Sequence, residues 1–159
     1  MAGVTTALRV LFGGAPGTDR AGEFLPTSAG AVHVLDAYAM ANSVLCSRLS
    51  GQGRQGDPSR RMIENCSSYL ATTIEVLEPT VVQSQGRRNG LSTHQAVERL
   101  CDSIDRVDDE VAIITVGKVT AVWCSLKHPA RNWGQLHRRY LQEVALPALT
   151  RTRELASLL

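Results

Sequence analysis

Three stretches of this sequence combine residue types and spacing that suit chemistry: the run Gly13-Gly14-Ala15-Pro16-Gly17, the asparagine Asn42, and the pair His128-Pro129. Small residues let a backbone approach a ligand closely. An asparagine amide carries both a donor and an acceptor, although the same residue serves equally well in turns. A histidine directly before proline, in a loop that follows a buried strand, is better placed for function than a solitary histidine in a core. Asp19 beside Arg20 supplies a carboxylate just past the glycine-rich run, and Arg131 and Asn132 come soon after Pro129. Cys46, Cys66, Cys101 and Cys124 are scattered with no CxxC pair, which argues against a disulfide scaffold and a self-contained zinc site. Buried thiols are expected instead. His33, His94 and His137 read as surface or packing residues.

The elements that would position these groups alternate in type. Leu8 to Phe12 is a short apolar run that reads as a buried first strand breaking into the glycine-rich loop. In open α/β sheets that carboxyl edge is where ligands bind. Tyr38 to Leu45 reads as a second strand, and Ser50 to Asp57 as a surface loop. From Pro58, residues Met62, Cys66, Tyr69, Leu70, Thr73, Ile74 and Leu77 recur at helical spacing until Pro79 halts the pattern. Thr80-Val81-Val82 begins a strand-like run ending at Gly86, a helix is expected over Thr93 to Ser103, and Val111 to Val116 reads as a strand. The chain then leads through Val122-Trp123-Cys124 to Lys127-His128-Pro129, with a last helix from Trp133 to about Leu146. This alternation predicts an α/β fold, a three-layer α/β/α sandwich around a short, mainly parallel four-stranded sheet.

The bulk composition agrees with one domain over residues 1–159: the chain has 159 residues, 43% of them hydrophobic and 20% charged. A net charge of +2 neither demands nor excludes a polyanionic partner. Only Lys118 and Lys127 are lysines; the arginine excess suits bidentate phosphate contacts, and equally reflects the coding bias of a GC-rich genome. No apolar run approaches the roughly 20 residues that span a bilayer, and the N-terminus lacks the order of a signal peptide. The expectation is a cytoplasmic monomer with no membrane partner.

The order of landmarks resembles the uracil-DNA glycosylase superfamily: the glycine-rich loop with Asp19, Arg20, Gly22 and Phe24 after it, Asn42 four residues before Cys46, Cys66 on a helix, and His128-Pro129 near the end. The likeness runs from about Val10 to about Tyr140 and is nearest to the bacterial branch whose first motif reads Gly-Glu-Ala-Pro-Gly. The resemblance implies a DNA glycosylase that flips a uracil-like, deaminated base out of DNA and hydrolyses its N-glycosidic bond without a metal. It implies that Gly13, Gly14, Ala15, Pro16 and Gly17 lie against the flipped nucleotide, that Phe24 stacks on the base, and that Asn42 reads its edge. It gives His128 the role of donor to the departing base, Asp19 that of assisting the attacking water, and Arg131 and Asn132 contacts to DNA.

The sequence also departs from that pattern. Gly14 stands where the branch carries its glutamate, and Ala15 where other branches carry asparagine or aspartate; Ala130 replaces the serine after His128-Pro129. Cys46 and Cys66 match only half of the branch's iron–sulfur ligand set, so no cofactor is expected. The segment from Ser28 to Ala37 is too short for more than two helical turns, where the family carries a full helix. Two other readings stand beside the enzyme: a non-catalytic relative that binds DNA or a base, and a flavodoxin-like small-ligand module.

Overall fold

The computed structural model describes residues 2–16, 24–27, 29–43, 48–49, 55–56, 59–86, 93–127 and 137–159. Along the chain the elements are α1 (Ala2–Leu11), β1 (Phe24–Thr27), β2 (Gly30–His33), β3 (Arg48–Leu49), β4 (Gln55–Gly56), α2 (Arg60–Leu77), β5 (Val81–Gln85), α3 (Thr93–Leu100), β6 (Ser103–Arg106), β7 (Val111–Val116), β8 (Val119–Leu126), α4 (His137–Tyr140), a π-helical turn (Leu141–Ala145) and α5 (Leu146–Ala156). They fall into two compact units, Met1–Met40 with His128–Leu159, and Ala41–Lys127. Among the described residues no helix is long and apolar enough to cross a membrane.

In the second unit α2 is the element most legible in sequence. Ser59 caps it by accepting a hydrogen bond from the Met62 amide, and Glu78 ends it with a left-handed φ of 44°. The Glu78 amide still bonds back to the Ile74 carbonyl, and Pro79 then blocks any further turn. Its buried residues are Ile63, Cys66 and Ile74, while Tyr69 is 64% and Leu77 51% exposed, so the buried stripe is narrower than the expected one. Glu64 reaches both Arg60 and, across to α3, Arg99. The Arg60 hydrogen bond leads in holding this exposed carboxyl below its ordinary range.

The sheet has four strands, the number expected, in the order β5-β8-β7-β6, but they are not the four that were expected, and its direction corrects the expectation of a mainly parallel sheet. Only β5 and β8 run parallel; β7 with β8 and β6 with β7 are antiparallel. The reason is local. Gly117, with φ 56°, starts a two-residue turn that joins β7 directly to β8, and so short a connection can only reverse the chain. One face of the sheet carries Ala112, Ile114, Val116, Ala121 and Trp123, packed with Ile74 of α2 and Val97 of α3. The expected helix over Thr93 to Ser103 is shorter, because Ser103 already pairs with Thr115 in the ladder.

The first unit corrects two further expectations. The run Leu8 to Phe12 is not a strand: Leu8 to Leu11 form the last part of α1, and Thr6 through Val10 are buried. A short apolar run cannot be told from a buried helix by periodicity alone. In the segment judged too short for the family's full helix, residues 29–37 carry β2, which pairs antiparallel with β1, Phe24 opposite His33. Leu25 and Val34 pack there on Leu8 of α1. The last helix does not stop near Leu146. Pro147 has no amide to offer Glu143, the ladder widens so that the Leu146 amide bonds to Leu141, and the helix continues through Ala156.

Candidate functional site

The parallel seam between β5 and β8 brings two strand ends together. Ser84 is the register partner of Ser125, and Gln85 of Leu126; beyond them the Gly86 amide donates to the Leu126 carbonyl at 2.9 Å. Gly86 takes φ 127°, where a side chain would be strained, so glycine suits the exit from β5. This carboxyl edge is the side on which open α/β sheets bind ligands.

A chain of polar side chains lies along that edge. His94, in the first turn of α3, places Nδ1 2.6 Å from the Ser125 hydroxyl. Its Nε2 lies 3.2 Å from the Glu98 carboxylate one turn later. The Glu98 carboxylate also pairs with Arg106 of β6. The imidazole is stacked on the indole of Trp123, with ring centroids 4.6 Å apart and planes tilted by 32°. Trp123 in turn donates from Nε1 to the Ser84 hydroxyl at 3.0 Å. The two ring nitrogens of His94 thus face a hydroxyl, which can donate or accept, and a carboxylate, which accepts.

Chemically this is a serine, a histidine and a carboxylate in series. Ser125 is only 2% and Ser84 4% exposed, however, so neither hydroxyl meets solvent as a nucleophile would. The network suits holding the two strand ends and the start of α3 in one geometry. Nearby, burial pushes the Cys101 thiol up to about 11, with the charges of Asp102 and Glu98 adding to the effect. That thiol donates to the Val97 carbonyl at 3.1 Å.

Of the residues expected to form a site, Asp19, Gly17, His128, Arg131 and Asn132 lie outside the described residues. Gly13, Gly14, Ala15 and Pro16 are exposed, but they follow a helix, which corrects the expectation of a strand ahead of them. The Gly13 amide bonds to the Val10 carbonyl at 3.0 Å and the Gly14 amide to the Arg9 carbonyl at 2.7 Å. With φ 85° at Gly13, these are the two bonds that close a helix on a left-handed glycine. Phe24 stands on β1, 61% exposed, its ring edge-on to His33 at 5.4 Å.

Asn42 is exposed, and the described residues 38–43 form no strand, which corrects the second strand expected there. Tyr38 packs against the Leu8, Leu25 and Val34 cluster, whereas Met40 is 77% exposed, so the run is not buried as a central strand would be. Phe24 and Gly13 belong to the first unit and Asn42 to the second.

Cys46 lies outside the described residues; Cys66 is buried in α2 and Cys124 in β8. Among the described residues no three His, Cys, Asp or Glu side chains come together as a metal-binding group. The sequence reading missed His94, Ser84, Ser125 and Glu98. The available signal was the spacing of His94 and Glu98, four apart on one helix face. No family model matches the chain, and no curated protein matches it at a significant level.

Proposed function

We propose that this chain is a uracil-DNA-glycosylase-type hydrolase that excises uracil or a related deaminated base from DNA without a metal, in the cytoplasm and as a monomer. The observation that carries this reading is the parallel β5–β8 seam: both strands end at one edge, and His128-Pro129 follow two residues after Leu126. A histidine at that point of the sequence suits a donor to the negative charge that builds on a leaving base. Phe24 is exposed enough to stack on a flipped base and Asn42 to read its edge. Gly13 to Gly17 would lie against the nucleotide, Asp19 would assist the water, and Arg131 and Asn132 would hold the backbone. The reading also implies a third layer over the sheet face that carries Val122 and Cys124, both fully buried.

The test is an abasic-site assay on single-stranded and mismatched oligonucleotides carrying uracil, hypoxanthine or xanthine. Slow excision is expected, with His128→Ala lowering kcat about 10²–10³-fold, as loss of one such donor does. Asp19→Asn should cost less than His128→Ala. Turnover indifferent to His128→Ala would refute this mechanism.

One observation favours a second reading, a relative that binds DNA or a base without cutting it. A Cβ on Gly14 would stand 3.2 Å from the Arg9 carbonyl. The helix end therefore leaves little room for the glutamate that would handle water at that place. Retained affinity for uracil-containing oligonucleotides with no abasic product would decide for it.

A further inference from the structure

Side chains that alternate along paired strands share a face, so Phe24, Pro26, Ala31 and His33 stand together on one side of the β1–β2 hairpin. The opposite side carries Leu25, which packs with Leu8 and Val34 in the core of the same unit. Phe24, Pro26 and Ala31 are exposed and uncharged, and among these four residues only His33 has a polar side chain. The hairpin is pinned at both ends. At the turn Thr27 Oγ1 donates to the Gly30 carbonyl at 2.7 Å and accepts from the Ala29 amide at 3.2 Å. At the open end the His33 carbonyl accepts from the Asp36 amide at 2.8 Å, and its Nδ1 accepts from the Leu35 amide at 3.2 Å. A backbone amide can only donate, so Nδ1 carries no proton and the ring proton sits on Nε2. That Nε2–H has no acceptor among the described residues.

We propose that His33 is a specificity-determining residue of a nucleobase platform: a base lies on the open face of Phe24, and the His33 Nε2–H donates to an acceptor at its edge, such as a uracil carbonyl oxygen. This rests on the glycosylase reading for the identity of the base. Phe24 is 61% exposed, so its ring keeps a face open to a stacking partner. Stacking alone does not choose between bases, because every base has a π-face. The choice needs a directional group, and on this side of the hairpin the fixed His33 N–H supplies it. The imidazole is turned 84° from the phenyl ring at a centroid distance of 5.4 Å, so it is not itself stacked on Phe24 and stands across the plane of a base lying there. Pro26 and Ala31 are short and offer an aliphatic anchor little depth, whereas a planar base needs only the ring. The chemistry therefore favours a base over an apolar peptide.

The experiment measures equilibrium binding of the full chain to two single-stranded oligonucleotides of otherwise identical sequence. One carries a 2′-fluoro-deoxyuridine, whose glycosidic bond resists hydrolysis; the other carries a phenyl C-nucleoside, which stacks but has no acceptor. The wild type should prefer the uracil strand by about 2–12-fold, the worth of one net hydrogen bond. His33→Phe should reduce that preference with little change in affinity for the phenyl strand, and His33→Gln, which keeps a side-chain N–H, should restore most of it. Phe24→Ala should weaken binding of both strands roughly 5–150-fold, as loss of one stacked base does. Nitrogen NMR of the wild-type imidazole should show the Nε2–H tautomer, with the Nε2 signal moving when the uracil strand binds. A proton on Nδ1, an undiminished preference in His33→Phe, or no binding of the uracil strand would each overturn the proposal. Displacement of that strand by a leucine-rich peptide, abolished in Phe24→Ala, would assign the face to peptides and overturn it too. Excision of unmodified uracil is followed separately. Excision with a preference indifferent to His33 leaves the glycosylase reading standing without this proposal, and a His33-dependent preference without excision does the reverse.

Discussion

The indole of Trp123 on β8 donates to the hydroxyl of Ser84 on β5 at 3.0 Å, with both side chains buried and the two strands parallel. Ser84→Ala leaves a buried indole N–H without its acceptor, and such an orphaned group costs about 1–3 kcal/mol. Trp123→Ala adds a large cavity and should cost about 3–5 kcal/mol. Urea unfolding followed by far-ultraviolet circular dichroism would measure both. A Ser84→Ala protein as stable as wild type would show that this bond contributes nothing.

The β7–β8 turn should be intolerant of a side chain at its first position. Gly117 has φ 56°, a conformation that costs a non-glycine residue roughly 1–2 kcal/mol. A Cβ there would also run into the Glu75 carboxylate of α2. Because Glu75 is flexible and can move aside, the backbone is expected to dominate. Gly117→Ala should therefore destabilise by a similar amount with or without Glu75→Ala. Recovery of stability in the double variant would assign the effect to crowding.

Cys101 should be an inert thiol. Its folded-state value of about 11, against an ordinary 9.0, leaves almost no thiolate at neutral pH. Iodoacetamide at pH 7.5 should modify it only after denaturation. The raised value also fixes a sign: the unfolded chain loses this proton first, so stability is unaffected below about pH 9 and falls as pH rises toward about 11. Cys101→Ser should flatten that alkaline decline.

Affinity for DNA should be modest and should weaken at high salt with a slope of only a few contacts, since a net charge of +2 supports only a few phosphate contacts. Each neutralised phosphate contributes about −0.9 to the slope of log K against log salt on duplex DNA and about −0.7 on single strands. Replacing Arg131 by alanine should lower the slope by about one contact. Binding to a uracil oligonucleotide that ignores salt would point to the small-ligand alternative.

Local patterns carried much of the secondary structure. The helix Arg60–Leu77 was legible because a serine cap, a helical repeat and Pro79 all sit in its own sequence. Strands Val81–Gln85 and Val111–Val116 were legible as apolar runs bounded by breakers. The expected site was legible only as landmarks, of which Gly17, Asp19, His128, Arg131 and Asn132 fall outside the described residues.

What the sequence by itself determined was therefore whatever depends on neighbours a few residues apart: caps, turns, helical periodicity and the apolar strands. Tertiary structure alone decided the rest. Leu8 to Leu11 became helix because α1 packs against α5 near the other end of the chain. Tyr38 to Asn42 did not become a strand because no sheet edge received it. His94 and Ser125, 31 residues apart, meet only because β8 takes a particular register beside β5 and α3. Contacts of that kind are set by which surfaces bury together, and no local spacing encodes them.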